Sequence, residues 1–250
     1  MLIIERHNRL LEILRDQKTA DLDSLAATLS VSASTVRRDL DALEQQGLVE
    51  RTHGGAVFRG QRKHPVAFAE RLNQQVDAKK LIGKYAATLV QPNMTLLLDG
   101  GSTVYYTAQQ ITARPLQVVT NALNIANLFA DDEQVELLVP GGALYPRTGV
   151  LVGPIATAAL SDLHADLLLF SVAGIFDDDA YNLNIDQAEM ERVMLRQAAR
   201  SVMLMDSTKF GRKSLARVCS VEDIELIVSD PGLSERWLTR LGERLVVAQP

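Results

Sequence analysis

A chain of 250 residues, 47% of them hydrophobic, holds enough apolar material for one large core or two modest ones. The net charge of −5 is not that of a basic nucleic-acid binder, and residues 1–57 carry more acids than bases, so any DNA contact must come from a few arginines gathered on one face. No apolar run is long enough to span a bilayer, no basic-then-apolar leader opens the chain, and the single cysteine, Cys219, excludes an intrachain disulfide; a reducing, cytoplasmic setting without membrane contact is expected.

The apolar positions Ile3, Leu10, Leu11, Ile13 and Leu14 predict a first helix from Ile3 to Arg15. Asp23 is placed to cap a short second helix over Ser24–Leu29, which buries Leu25, Ala26 and Leu29. A tight Ser30-Val31-Ser32 turn leads into a third helix, with Ser32 as N-cap and Val36, Leu40 and Leu43 at i, i+4 and i+7 as the buried stripe. The opposite face carries Ser34, Thr35, Arg37 and Arg38. Small hydroxyls ahead of two guanidinium forks are what a helix needs to read base edges and grip phosphates in a major groove. Gly47 ends this helix, and strands over Leu48–Arg51 and Ala56–Phe58 flank His53-Gly54-Gly55, where glycine permits the positive φ of a hairpin. The expectation is a winged helix-turn-helix over residues 1–58. Ser32, Ser34, Thr35, Arg37 and Arg38 would face DNA from the recognition helix, and Arg51, His53 and Gly54 from the wing.

Residues 59–78 read as a connector, first polar and basic (Arg59-Gly60-Gln61-Arg62-Lys63-His64-Pro65), then the start of a helix running from Phe68 to about Leu89. The second domain, 79–250, alternates strands with helices. Strands are expected at Thr95–Leu98, Leu116–Thr120, Glu136–Pro140, Ala165–Val172, Ser201–Met205 and Glu225–Ser229. Helices are expected at Thr103–Ile111, Leu123–Ala130, Ile155–Leu163 and Gln187–Arg200. This is the rhythm of βαβ units, hence an α/β domain with a mostly parallel sheet.

Ligands of such sheets bind beyond the C-terminal strand ends. After Leu98 comes Asp99-Gly100-Gly101-Ser102-Thr103 and a helix start, an arrangement whose backbone N–H groups and hydroxyls suit an anion; a plain strand-to-helix connection would look the same. Thr120-Asn121, Gly141-Gly142 with Arg147, Gly174, and Lys209 beyond Asp206 lie at other strand ends. Arg147 and Lys209 suit a phosphate, Asp99 and Asn121 sugar hydroxyls. Equally, Asn121 would serve as a helix cap, Arg147 as a surface charge and Lys209 as a partner for Asp206. The acidic run Asp177–Asp179 reads as a solvated turn rather than a metal site, and Cys219 as a packed thiol rather than a nucleophile. No metal, cofactor or catalytic residue is expected.

Thr35-Val36-Arg37-Arg38-Asp39-Leu40, followed by Gly47-Leu48-Val49-Glu50-Arg51-Thr52-His53-Gly54-Gly55-Ala56, resembles the N-terminal signature of the DeoR family of bacterial transcriptional regulators. The resemblance continues to about Asp230 through the Asp99–Thr103 loop, Val119-Thr120-Asn121, Gly141-Gly142, Arg147 and Asp206-Ser207-Thr208-Lys209-Phe210-Gly211. It implies a sensor domain of the fold shared by ribose-5-phosphate isomerase and the coenzyme A transferases, with a phosphorylated sugar or polyol as effector and operator DNA as target. Two stretches depart from the family pattern: Gln187-Ala188-Glu189 stands where an acidic Glu-x-Glu pair is usual, and the Phe176–Asn182 loop lacks a glycine. The sugar-contacting side, including Glu189, is where this chain differs. The expected function is a repressor of a sugar or polyol operon, acting as a homodimer or homotetramer. The alternative is a sugar-phosphate isomerase or transferase carrying a DNA-binding module, with Asp99, Glu189 or Lys209 as its acid–base groups.

Overall fold

The computed structural model describes residues 3–17, 19–45, 49–52, 54–58 and 67–249. They fall into two units, Met1–His64 and Pro65–Pro250. The smaller unit runs α1 (Ile3–Gln17), β1 (Thr19–Asp21), α2 (Leu22–Leu29), α3 (Ala33–Gln45), β2 (Val49–Arg51) and β3 (Gly55–Phe58). Its core joins Leu10 and Leu14 of α1, Leu25 and Leu29 of α2, and Val36, Leu40 and Leu43 of α3, so the predicted apolar stripes meet one another. Asp21, not Asp23, caps α2, accepting a 2.9 Å hydrogen bond from the Ser24 amide. Asp39 of α3 faces inward and binds two groups of α1: Arg6, through its Nε at 2.5 Å and Nη2 at 3.0 Å, and His7 at 3.1 Å.

A three-stranded antiparallel sheet, ordered β1-β3-β2, forms the wing. Strand β1 is too short to show a period and was not expected. Its presence explains Gly55: a Cβ there would lie 2.1 Å from the Ala20 carbonyl oxygen, so only glycine lets β1 approach β3. The wing glycines do not have the positive φ expected of them.

The larger unit opens with α4 (Phe68–Leu72) and α5 (Val76–Ala87). It continues through β4 (Thr95–Leu98), α6 (Ser102–Ala108), β5 (Leu116–Thr120), α7 (Leu123–Phe129), β6 (Val135–Leu138), β7 (Ala143–Tyr145), β8 (Val150–Val152) and α8 (Pro154–Ser161). The remainder is β9 (Ala165–Phe170), β10 (Gly174–Phe176), β11 (Asp179–Asn182), α9 (Ile185–Gln197), β12 (Ala198–Leu204), β13 (Ala216–Ser220), β14 (Leu226–Ser229), α10 (Glu235–Leu241) and β15 (Leu245–Val247). Seven strands form one parallel sheet in the order β15-β14-β12-β9-β4-β5-β6. Its central strands are buried on both faces, as parallel sheets require, and read as apolar runs such as Leu167-Leu168-Leu169-Phe170. A β7–β8 hairpin and a small antiparallel sheet of β10, β11 and β13 are additions.

From β4 the chain steps outward through β5 to β6, then returns to the other side of β4 and steps through β9, β12 and β14 to β15. The direction of winding therefore reverses between β4 and β9, where the loops part and leave a crevice. The expected connector does not hold as one piece. Residues 59–66 lie outside the described residues, whereas α4 belongs to the larger unit, Phe68 packing edge-on against Tyr105 of α6 at 5.6 Å between ring centres. The single helix expected from Phe68 to Leu89 breaks at Asn73–Gln75. Gln75 turns to φ +50°, and buried Lys79 donates to the carbonyls of Arg71 and Gln74, completing the end of α4.

Cys219 is buried, and burial pushes its thiol up to about 12. Asp178 and Asp179 pair with Arg240 and Arg217 respectively. Among the described residues no helix is long and apolar enough to cross a membrane.

Candidate functional site

In the smaller unit, α3 presents Ser34, Arg37 and Arg38 to solvent, opposite the Val36/Leu40/Leu43 stripe. Exposed Ser32 precedes the helix, its Oγ accepting from the Thr35 amide at 3.2 Å and lying 2.8 Å from the hydroxyls of both Ser34 and Thr35. The result is a tight hydroxyl cluster at the helix start with two guanidinium groups behind it. Arg51 is placed differently from the expectation. Its guanidinium forms an ion pair with Asp41 of α3 and its amide donates to Glu44 at 2.8 Å, so the side chain ties wing to helix. A phosphate contact by Arg51 would have to compete with Asp41. Gly54 is exposed, its carbonyl accepting from the Leu22 amide at 2.9 Å, and His53 lies outside the described residues.

In the larger unit a cavity occupies the crevice between β4 and β9. Three successive strand ends wall it: Asp99–Ser102 after β4, Ser171–Ala173 after β9, and Asp206, Thr208 and Lys209 after β12. The α4–α5 turn closes one side with Arg71, Gln74, Gln75 and Lys79; Thr148, Asn182, Gln187, Glu191 and Arg212 complete the wall. Four of these side chains are basic.

Their environments differ. Two guanidinium nitrogens of Arg71, Nε and Nη2, are buried with no hydrogen-bond partner, and burial lowers its pKa against the pull of Asp99 and Glu191. Burial, then the like charge of Lys209, brings the Lys79 ammonium down to about 8. Lys209 donates to Ser171 Oγ at 3.3 Å and lies 4.0 Å from Asp206; burial lowers its pKa, with Asp206 opposing. Asp99 is raised by burial although the amides of Gly100 and Ser171 hydrogen-bond to it. Glu191 is raised well above the carboxylate range by burial and by the charge of Asp99.

Of the residues expected from sequence, the structure brings Asp99, Gly100, Gly101, Ser102 and Lys209 together on the cavity wall. Thr103, Thr120, Asn121, Gly141, Arg147, Gly174 and Glu189 do not line it. Thr120 donates to the Leu98 carbonyl at 2.7 Å and Asn121 to that of Leu151 at 2.9 Å, so both serve the strand ends themselves. Thr103 is fully buried, Gly141 and Arg147 are exposed, and the Arg147 carbonyl accepts from the Phe68 amide at 2.9 Å. Gly174 lets β10 pass the Arg212 backbone, whose carbonyl would meet a Cβ at 2.3 Å. Glu189 points outward and pairs with Arg192 at 2.8 Å. Two residues further along α9, about 200° around the helix, Glu191 faces the cavity instead. A Cβ on Gly101 would meet Ser171 Cβ at 2.8 Å, so that glycine is demanded by packing against the end of β9.

Arg71, Lys79, Glu191 and Arg212 escaped the sequence reading. A search confined to strand ends has no reason to look in a helical turn preceding the first strand, or a turn and a half into α9.

A model of the DeoR-like helix-turn-helix domain matches residues 6–62, and one of the DeoR C terminal sensor domain matches residues 74–231. The chain belongs to the DeoR family. Among its DeoR relatives, the HTH-type transcriptional regulator GolR of Listeria innocua is 31% identical over 92% of this chain and 91% of its own length. The transcriptional repressor CsqR of Escherichia coli is 30% identical over 90% and 87%, and the L-fucose operon activator of Escherichia coli 31% over 90% and 94%. Of solved structures, ribose 5-phosphate isomerase A from Methanocaldococcus jannaschii overlays 55% of each chain at 15% identity and a TM-score of 0.40. This DeoR-family chain is a DNA-binding transcriptional regulator, its smaller unit the DNA-binding domain and its larger unit the sensor domain.

Proposed function

We propose that this regulator is a repressor of a sugar or polyol operon whose larger unit binds a phosphorylated sugar or polyol at the β4–β9 crevice. The observation that carries the effector reading is Arg71. A buried guanidinium with unsatisfied donors is costly unless something accepts from it, and a phosphate offers the matching geometry. Lys79, Lys209 and Arg212 on the same wall add charge. Ser102 and Asp99 stand within the same wall for the sugar. CsqR is a repressor and the L-fucose relative an activator, so the sign belongs to this reading alone. Ser32, Ser34, Thr35, Arg37 and Arg38 are the residues we assign to operator contact. A single winged helix covers few base pairs, so a homodimer or homotetramer on repeated half-sites is part of the proposal, and sedimentation on and off DNA tests it.

The direct experiment is thermal shift against phosphorylated sugars and their unphosphorylated counterparts, for the parent and Arg71→Ala. A ligand that binds only the folded state raises the midpoint. Stabilisation by a phosphorylated compound that vanishes in Arg71→Ala supports the site. Equal response to free sugar, or an undiminished response in Arg71→Ala, overturns it.

A further inference from the structure

Glu191 poses a problem that phosphate binding does not answer. It is 2% exposed, sits on the cavity wall, and its Oε2 is buried without a hydrogen-bond partner. The other oxygen is spoken for: Asn182 Nδ2 donates to Oε1 at 2.5 Å. Asn182 is itself fixed, its Oδ1 accepting from the Leu183 amide at 2.7 Å. One helical turn back, Gln187 donates to Thr148 Oγ1 at 3.0 Å, and the start of α9 is capped by Asn184, which accepts from the Gln187 amide at 3.0 Å. The carboxyl is therefore held through Oε1 by an asparagine that is itself anchored, and Oε2 is left without a partner on a side chain that lines the cavity. A buried polar atom left unmade in this way costs free energy that a ligand hydrogen bond recovers.

In its ionised form Glu191 would repel a phosphate, which has its partners in the cations of the same wall. The charged groups around Glu191 are Asp99, which disfavours its ionisation, and Lys209, Arg192 and Arg71, which favour it. The anion belongs with the cations of the α4–α5 turn and Lys209. A hydroxyl suits Oε2 in either protonation state, donating to a carboxylate or accepting from a carboxylic acid. We propose that Glu191, braced by Asn182, is the specificity-determining residue of the sensor cavity: its Oε2 hydrogen-bonds a hydroxyl of the phosphorylated effector and so selects polyhydroxylated phosphates over phosphate alone. This rests on the effector reading above and adds the residue that tells one phosphorylated compound from another. Sites built to hydrogen-bond a ligand hydroxyl discriminate far more steeply than apolar ones, because the analogue leaves a buried group unpaired.

The test uses the full chain and calorimetric or thermal-shift affinities for inorganic phosphate, glycerol 3-phosphate, ribose 5-phosphate, 2-deoxyribose 5-phosphate, glucose 6-phosphate and fructose 6-phosphate. The parent is expected to bind at least one of the sugar phosphates tenfold or more tighter than inorganic phosphate. Glu191→Met keeps the length of the side chain and removes Oε2 both as acceptor and as donor. It is expected to hold inorganic phosphate as well as the parent or better, while the sugar's advantage over phosphate falls tenfold and the rank order of the panel changes. Arg71→Ala separates the two readings, since it should lose inorganic phosphate and sugar phosphates alike. A Glu191→Met protein that preserves the parent's preference overturns the proposal, as does one that loses phosphate and sugar in equal proportion. A parent that prefers no sugar phosphate over phosphate overturns it while leaving the anion site standing. A melting midpoint near the parent's shows that any loss is not misfolding.

Discussion

Burial makes Lys79 the residue whose behaviour is most open to a sign test. Its folded pKa of about 8 lies below the ordinary 10.5, so between those values the unfolded chain binds more protons than the folded one. Raising the pH through this window should stabilise the unliganded protein relative to Lys79→Met. Ligand binding should move the other way. A phosphate dianion favours the charged ammonium, so binding takes up a proton and affinity falls as the pH climbs above 8. Lys209, also lowered by burial, adds to the same trend, with Asp206 opposing and Arg71 assisting. Below about pH 6 the phosphate itself becomes a monoanion. Parallel pH curves for parent and Lys79→Met in both measurements would remove Lys79 from this role. In the smaller unit, burial works against ionisation of Asp39, but Arg6 and His7 outweigh it and lower its pKa. Its contribution is therefore present above the ordinary carboxylate pKa of about 3.9 and lost as pH falls through the depressed value. Asp39→Asn should lower the melting midpoint of the smaller unit at neutral pH, and the gap from the parent should close in acid. A gap that persists unchanged in acid would show that shape, not charge, is what Asp39 supplies.

At the scale of the element, α3 makes the clearest prediction because its two faces are so distinct. Arg37→Ala and Arg38→Ala remove exposed side chains opposite the buried stripe and should leave folding intact while weakening operator binding. Loss of a bidentate guanine contact should cost about 1–3 kcal/mol and relax specificity at one base pair. Loss of a phosphate contact should weaken all sequences alike and flatten the salt dependence. Operator affinity unchanged in both variants would dissociate α3 from recognition. That helix was legible because a thirteen-residue amphipathic period is a strong signal, and β4 and β5 were legible to the residue because buried parallel strands are uninterrupted apolar runs. What escaped was set by tertiary contact. Strands β1, β7 and β10 have three residues each, too few to display a period, and exist because a partner strand pairs with them. The break between α4 and α5 depends on Lys79 reaching back to two carbonyls, a contact no local pattern announces. Arg71 and Glu191 became site residues through folding of the flanking helices over the strand ends. The difference between Glu189 and Glu191 is one of helical phase, which an expectation pinned to a family pattern does not resolve.

For the molecule as a whole, the question is how a ligand at the strand ends can alter DNA binding. Arg71 stands on α4, the first helix after the boundary between the units, and the amide of nearby Phe68 donates to the carbonyl of Arg147, one residue before cavity-lining Thr148. A ligand held by Arg71 and Lys79, as proposed, would bear on α4 and α5, the first helices of the larger unit. It shifts operator affinity only if it binds the DNA-competent and DNA-released states unequally, and that inequality is thermodynamically reciprocal. If a phosphorylated sugar weakens operator binding by some factor, saturating operator must weaken binding of that sugar by the same factor. The measurement is the sugar phosphate's Kd for the full chain, alone and with a saturating operator duplex, beside the operator Kd with and without the sugar. Equal factors in both directions are expected for the parent. Arg71→Ala should keep the parent's operator affinity in the absence of sugar and show no coupling, a repressor locked on its site. An operator Kd that responds to sugar phosphate while the sugar's Kd ignores operator would break the cycle, and would mean that the response arises away from this cavity, at DNA or at a second binding event.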